Sequence, residues 1–214
     1  MDPSFAWTLP HAGQLEWNVD AVRSEFEGTV DPELATFDEA ALVAACISGR
    51  PGAFDLIVER HRRGIYRLCY RFAGNHEDAA DLSQDVFIRA YRGLRSFRQQ
   101  SSLGTWLYRI GVNVCLNRVN TRSLPTEPIE KRQHIETRDD SPVDRVLREE
   151  QAARVREAIA HLPRKQRATL ILRIYHELSH QEIADILGSS VGAVKANFFH
   201  ALGNLRKALG EEAL

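Results

Sequence analysis

Glu177-Leu-Ser-His-Gln-Glu-Ile-Ala-Asp-Ile-Leu-Gly-Ser-Ser-Val-Gly-Ala-Val-Lys195 reads as two short helices joined by a glycine turn, the pattern of a helix-turn-helix. Ser179 followed three residues later by Glu182 makes a capping box, so the first helix has a marked start. Gly188 supplies the left-handed stop that other residues enter at a cost. Ile183, Ala184 and Leu187 on the first helix, with Val191, Val194 and Phe198 on the second, are spaced to pack the pair at an angle. The second helix is thereby presented outward, and in proteins built this way it enters the major groove of DNA with its N-terminal residues at the base edges. The string is far more specific than amphipathic periodicity, which puts DNA binding ahead of a structural hairpin.

The rest of the composition narrows the class. A chain of 214 residues with 43% hydrophobic content builds cores for one or two domains. No apolar run approaches a membrane span, and the acidic N-terminus lacks the basic and apolar regions of a signal peptide, so a cytoplasmic protein is expected. Cys46, Cys69 and Cys115 lie far apart in sequence among apolar residues and read as reduced core thiols. With no Cys-x-x-Cys or paired-His spacing, no zinc or other metal is expected, and no cofactor. No Gly-rich phosphate loop or nucleophile–base constellation points to an enzyme, and His61 and His161 read as structural or solvated.

A net charge of −1 is unusual for a nucleic-acid binder until it is divided along the chain. Residues 1–37 hold one Arg against seven acids, whereas residues 38–122 hold thirteen Arg against eight. Residues 123–147 come to −2 and residues 148–214 to +2. Two basic segments thus alternate with acidic ones, as expected if two modules meet phosphate, although solvated Arg-rich helices give the same count.

Helices dominate, since strand-like alternation is almost absent. Asp38–Ser48 reads as a capped helix ending at Gly49, and Pro51-Gly52 marks a break. Ala53–Phe72 follows with Phe54, Ile57, Val58, Ile65, Leu68, Cys69 and Phe72 as its apolar face, and Gly74-Asn75 ends it. Glu77–Tyr91 is a third helix with Ala80, Leu82, Val86, Phe87 and Ala90 inward. Phe97–Ser102 is polar loop, and Leu103–Asn120 returns to helix through Trp106, Leu107, Ile110, Val114 and Leu116. Pro125, Pro128 and Pro142 among mixed charges mark a flexible linker. Val143–His161 and Arg164–His176 are helices leading into the helix-turn-helix, with Pro163 well placed to start the second. The expected fold is all-α, two helical domains joined by a linker: an N-terminal extension over 1–37, a helical bundle over 38–122, the linker over 123–145 and a helix-turn-helix domain over 146–214.

Asp81-Leu-Ser-Gln-Asp-Val-Phe-Ile-Arg-Ala-Tyr91, Ser96-Phe-Arg98 and Thr105-Trp-Leu-Tyr-Arg-Ile-Gly-Val-Asn113 together resemble region 2 of bacterial RNA polymerase sigma factors of the extracytoplasmic-function type. Leu162-Pro163, Arg167, and Leu178 through Lys195 are similar to region 4 of the same sigma-70 family. The resemblance covers about residues 38–210, in order, with the linker where that family has one. It implies a protein that binds core RNA polymerase, carries it to promoters and aids DNA opening without catalysing anything, often under the control of an anti-sigma factor.

Asp81, Gln84 and Asp85 share one helical face at i, i+3 and i+4. The resemblance gives that face to the clamp helices of the largest polymerase subunits; dipole stabilisation accounts for Glu77 and Asp78 but reaches Asp85 poorly. For the −10 element it implies the loop, with Arg98, Gln99, Gln100, Ser101 and Ser102 as the pocket for an exposed base. Arg109 and Asn113, four apart on the next helix, contact strand or phosphate, and Arg118 and Arg122 extend the basic edge. Trp106 reads either as core, beside Ile110, or as a stacking surface. For the −35 element the reading positions are Ser190, Lys195, Ala196, Phe199 and His200. The chain departs from the family here, with Asn197, His200 and Asn204 where Arg or Lys is common. Fewer cations mean weak intrinsic −35 affinity and a shallow salt dependence, strengthened at low pH if His200 gains charge.

Residues 1–37 lie outside the family core and combine acids with Phe5, Trp7, Trp17, Phe26 and Phe37. Such an arm either screens the basic face of the bundle, binds a regulator or is simply a disordered tail. Two other functions share part of these features: a stand-alone helix-turn-helix regulator, which leaves Asp81 to Asn113 unexplained, and a sigma-like module that only sequesters a partner.

Overall fold

The computed structural model describes residues 32–121 and 142–210, with side chains placed for 32–118 and 150–210. Every regular element among them is helical: α1 (Pro32–Ala35), α2 (Glu39–Ile47), α3 (Ala53–Ala73), α4 (His76–Gly93), a 3-10 turn (Leu94–Ser96), α5 (Leu103–Thr121), α6 (Pro142–Ala160), α7 (Arg164–Tyr175), α8 (His180–Leu187) and α9 (Val191–Leu209). The expected linker between α5 and α6 and most of the N-terminal extension lie outside the described residues.

The helix boundaries follow from local chemistry. Asp38 caps α2 by accepting the Ala41 N–H at 2.7 Å, and Asn75 caps α4 by accepting the Asp78 N–H at 2.8 Å. Between α3 and α4 the chain reverses at Gly74, whose φ of +81° is a left-handed conformation that favours glycine. The first half of the chain is a bundle in which α3, α4 and α5 pack on one another and α2 packs on α3. Ile57, Ile65, Leu68 and Phe72 of α3 meet Val86 and Ala90 of α4 and Leu107 and Val112 of α5, all buried. Full burial of each large side chain contributes roughly 1.5–3 kcal/mol. Gly111 sits where α5 comes closest to α3, and a Cβ there would lie 2.8 Å from Leu68 Cδ2.

The second half packs α9 against α7, α8 and α6. Its core is Ile171 and Leu172 of α7, Ile183, Ala184 and Ile186 of α8, and Val194, Ala201 and Leu205 of α9. Phe198 is only partly covered within that stripe, and Ile186 takes the fully buried place expected for Leu187. On α4 Ala79 is fully buried and Ala80 only partly, because Ala79 stands with the buried Leu82, Val86 and Ala90 at i, i+3, i+7 and i+11. Cys69 and Cys115, distant in sequence, are neighbours in the core with Sγ atoms 3.8 Å apart. Contact with the Cys69 thiol, together with burial, pushes Cys115 far above the usual thiol range, and all three cysteines are free.

Candidate functional site

The acidic face of α4 is in place. Asp81 and Gln84 are exposed, while Asp85 is half-buried and accepts from Arg89 Nε at 3.0 Å, one helical turn on. The same pairing holds the Arg89 guanidinium above its usual pKa through that hydrogen bond and the adjacent charge. Ile88 and Tyr91 emerge beside this face as exposed apolar groups, which sequence periodicity assigned to no role.

The loop between the 3-10 turn and α5 exposes Arg98, Gln99, Gln100 and Ser102, with Ser101 half-covered. Gln99 adopts a left-handed conformation, φ +53°, uncommon outside glycine and typical of places where backbone shape serves a site. Ser102 closes the loop by accepting the Thr105 N–H at 3.1 Å, so its hydroxyl starts α5. Phe97 tilts onto Trp106 with centroids 5.1 Å apart. Trp106 is half-buried: one edge packs on Gly93 and Phe97, and another lines an open groove of about 320 Å³ with Arg89, Gly93, Ile110, Asn113 and Val114. Asn113 therefore stands in the groove, three turns below the loop.

Arg109, one turn above Asn113, is turned elsewhere. Its guanidinium donates to the main-chain carbonyl of Asp185 on α8. It belongs to a seam joining the two halves of the chain. Tyr108 Oη lies 3.0 Å from His176 Nδ1, Arg71 covers the Tyr175 ring at 3.9 Å, and Arg164 Nη2 reaches Asn117 Oδ1 at 3.4 Å. Arg167, only 6% exposed, donates to the Phe72 carbonyl at the end of α3 and lies over the Phe72 ring. Burial, with Arg71 and Arg67 nearby, lowers the His176 pKa to about 4, so it is neutral at pH 7. Gly64 makes this arrangement possible, since a Cβ there would sit 3.0 Å from Tyr108 Oη. The seam pairs residues 47 to 104 positions apart and left no periodic trace in the sequence.

The helix-turn-helix forms as its capping signals require. Ser179 Oγ accepts the Glu182 N–H at 3.2 Å while the Glu182 carboxylate accepts the Ser179 N–H at 2.8 Å. These hydrogen bonds hold the Glu182 carboxyl below its usual pKa. Gly188 is left-handed with φ +58°, and Ser190 Oγ caps α9 by accepting the Ala193 N–H at 3.2 Å. Ser190 thus commits one of its two acceptor lone pairs to the helix end and keeps its O–H and the other lone pair for a ligand. Lys195, Ala196, Phe199 and His200 are all exposed on the outward side of α9, with Phe199 at 74% and its ring edge-to-face with His200. Asn204 turns away to donate to Gln166 Oε1 at 2.8 Å.

Comparison with known proteins matches both halves. The Sigma-70 region 2 family matches residues 57–124 and the Sigma-70, region 4 family residues 152–205. The chain is 36% identical to the ECF RNA polymerase sigma factor SigM of Mycobacterium tuberculosis H37Rv, across 80% of this chain and 85% of that one. Among solved structures, CnrH in complex with the cytosolic domain of CnrY superposes with a TM-score of 0.58 at 26% identity, covering 80% of this chain and 96% of that one. The sigma factor RpoE, solved with the anti-sigma factor NepR from Bartonella quintana, shares the fold with a TM-score of 0.55 at 20% identity, covering 74% and 97%. An all-α chain in which a region 2 bundle is followed by a region 4 helix-turn-helix defines a promoter-recognition subunit of bacterial RNA polymerase. The chain belongs to the extracytoplasmic-function sigma factors of the sigma-70 family, proteins that bring core polymerase to promoters for specific initiation.

Proposed function

We propose that residues 38–122 and 146–214 act as two separable recognisers on one chain, the first for core polymerase and the −10 element and the second for the −35 element. Asp81, Gln84 and Asp85 supply the face for the polymerase clamp helices, and Arg89 holds Asp85 in place for it. The loop over 98–102 takes a base extruded from the non-template strand, and Asn113, in the groove below, meets the strand that follows. Lys195, Ala196, Phe199 and His200 enter the major groove of the −35 element. Ser190, which caps α9 by accepting the Ala193 N–H, still has its O–H to donate to a phosphate or base edge. The chain performs no catalysis of its own and works in the cytoplasm beside the polymerase; no described helix is long and apolar enough to cross a membrane.

The observation that carries this reading is that the outward face of an N-capped recognition helix and the acidic face of α4 occur on one chain that matches regions 2 and 4 in order. It has a mechanical consequence. Two elements named for positions −10 and −35 lie about 25 base pairs apart, roughly 85 Å along B-form DNA. Here α5 and α8 touch, and Arg109 is spent on Asp185. Promoter binding therefore separates the halves, and a protein that clasps them together opposes it. A solved relative of this fold carries an anti-sigma factor, which supports an anti-sigma partner for this chain as well.

The test is retention of core polymerase by the tagged chain. Wild type holds core enzyme, and Asp81→Arg/Asp85→Arg loses it while keeping its helicity and its DNA binding. Equal retention by both chains removes the polymerase role from α4, and DNA binding with no core retention by wild type identifies a stand-alone regulator.

A further inference from the structure

α3 carries four arginines on one face. Arg60, Arg63, Arg67 and Arg71 fall within a narrow arc of the helix, all are exposed, and at about 1.5 Å per residue they run about 16 Å along it. Several other arginines have carboxylate partners: Arg50 pairs with Glu33, Arg62 with Glu59 and Arg89 with Asp85. Among the described residues no carboxylate forms an ion pair with Arg63, Arg67 or Arg71, and Arg71 meets only the Tyr175 ring. Arg71 and Arg67 also lie close enough to His176 to add to the effect of burial in keeping it neutral. Aromatic groups border the stripe, with Tyr66 and Tyr70 stacked at 6.4 Å on one side and Tyr108 over Gly64 on the other.

Where the N-terminal extension leaves the bundle is also fixed. Arg60 Nη2 donates to the carbonyls of Ala35 and Phe37, at 3.2 and 2.8 Å, which pins α1 to the first arginine of the stripe. The preceding 31 residues hold Asp2, Glu16, Asp20, Glu25, Glu27 and Asp31 against one cation, Arg23, with Phe5, Trp7, Trp17 and Phe26 among them. From Pro32 back to Asp20 is twelve residues, which span up to about 40 Å when extended, more than twice the length of the stripe.

We propose that the acidic N-terminal segment, residues 1–31, docks along the Arg63–Arg67–Arg71 face of α3. Its carboxylates, Glu25, Glu27 and Asp20 foremost, meet the guanidinium groups, and its aromatic side chains lie on the Tyr66/Tyr70 and Tyr108 borders. The tether starts at Arg60, so the segment is present at high effective concentration, and even weak pairs suffice. Docking takes the main uncompensated positive patch of the bundle off the surface, which lowers the attraction of the free chain for DNA of arbitrary sequence. The inference does not depend on which promoter the protein reads.

The experiment uses the full chain carrying Trp106→Phe, so that Trp7 and Trp17 are its only tryptophans. At low ionic strength their emission is blue-shifted and shielded from acrylamide; raising salt from about 0.05 M to about 0.5 M releases both effects by shortening the screening length. Arg63→Glu/Arg67→Glu/Arg71→Glu abolishes the shielding at low salt, and the Arg→Lys triple keeps it. Adding Asp20→Lys/Glu25→Lys/Glu27→Lys to the Glu triple restores it, a result that misfolding cannot produce. Identical quenching of wild type and the Glu triple at low salt overturns the proposal, as does failure of the charge swap. Unchanged tryptophan quenching with weakened DNA binding in the Glu triple also overturns it, and gives the stripe to nucleic acid instead.

Discussion

Gly111→Ala and Gly203→Ala make the same chemical change in two helices and are expected to have opposite signs. Alanine in place of a mid-helix glycine gains about 0.8–1 kcal/mol of helix propensity. At Gly203, in α9, nothing lies within 4 Å of the new Cβ, so that gain stands. At Gly111 the new Cβ is 2.8 Å from Leu68 Cδ2, with Val86 Cγ2 at 3.8 Å and Ile65 Cδ1 at 3.9 Å. Carbon atoms prefer roughly 3.5–4.0 Å, so Leu68 must retreat by at least about 0.7 Å. Leu68, Val86 and Ile65 are all at most 1% exposed, so Leu68 can retreat only into the packed core. Overpacking of this kind costs about 1–3 kcal/mol, which leaves Gly111→Ala destabilising by about 0–2 kcal/mol after the propensity gain. Urea unfolding followed by circular dichroism reads both: the midpoint rises for Gly203→Ala and falls for Gly111→Ala by up to about 2 M, given slopes of about 1–3 kcal/mol per molar. Should Gly111→Ala prove as stable as Gly203→Ala, the close approach of α3 and α5 is wrong.

Three further outcomes follow from the same geometry. Ser179→Ala removes one half of the capping box and lowers stability by about 1 kcal/mol, measured by the urea midpoint. Because Glu182 has its carboxyl held below the usual pKa by Ser179, its share of the cap is present above the ordinary glutamate range and is lost as pH falls through the lower folded value; Glu182→Gln removes that acid dependence. His176 is depressed from 6.5 to about 4, so the stability tied to its neutral form is full above pH 6.5 and drains away as pH falls toward 4. His176→Phe, which keeps a ring against Tyr108, flattens stability over that window. On a −35 element, Ala196→Arg is expected to steepen the slope of log affinity against log salt by about 0.9, the share of one added phosphate contact, and a filter-binding titration decides it.

Much of the architecture was legible because it is local. The Ser179/Glu182 box and Gly188 are signals within four residues of the groups they satisfy, and each formed as the sequence implies, while Ser190, read only as a −35 contact, also caps α9. The apolar faces of α3 and α5 were legible for the same reason, while on α4 the inward arc takes in Ala79 where the sequence reading had Ala80. The seam was not legible. Arg109 looked like a DNA contact because an exposed Arg on a motif helix has no sequence mark of a partner 76 residues away. Arg167 belonged to the recognised motif, yet only the fold shows its charge buried against the Phe72 carbonyl. Cys69 and Cys115 likewise became neighbours only when α3 met α5.

Run-off transcription with purified core RNA polymerase on a panel of promoters selected from random DNA addresses the central claim most directly. Wild type is expected to yield transcripts from a defined subset of templates, and Asp81→Arg/Asp85→Arg to yield none from the same subset. Promoter-specific transcripts of equal strength from the variant, or none from wild type with core polymerase bound, would contradict the account.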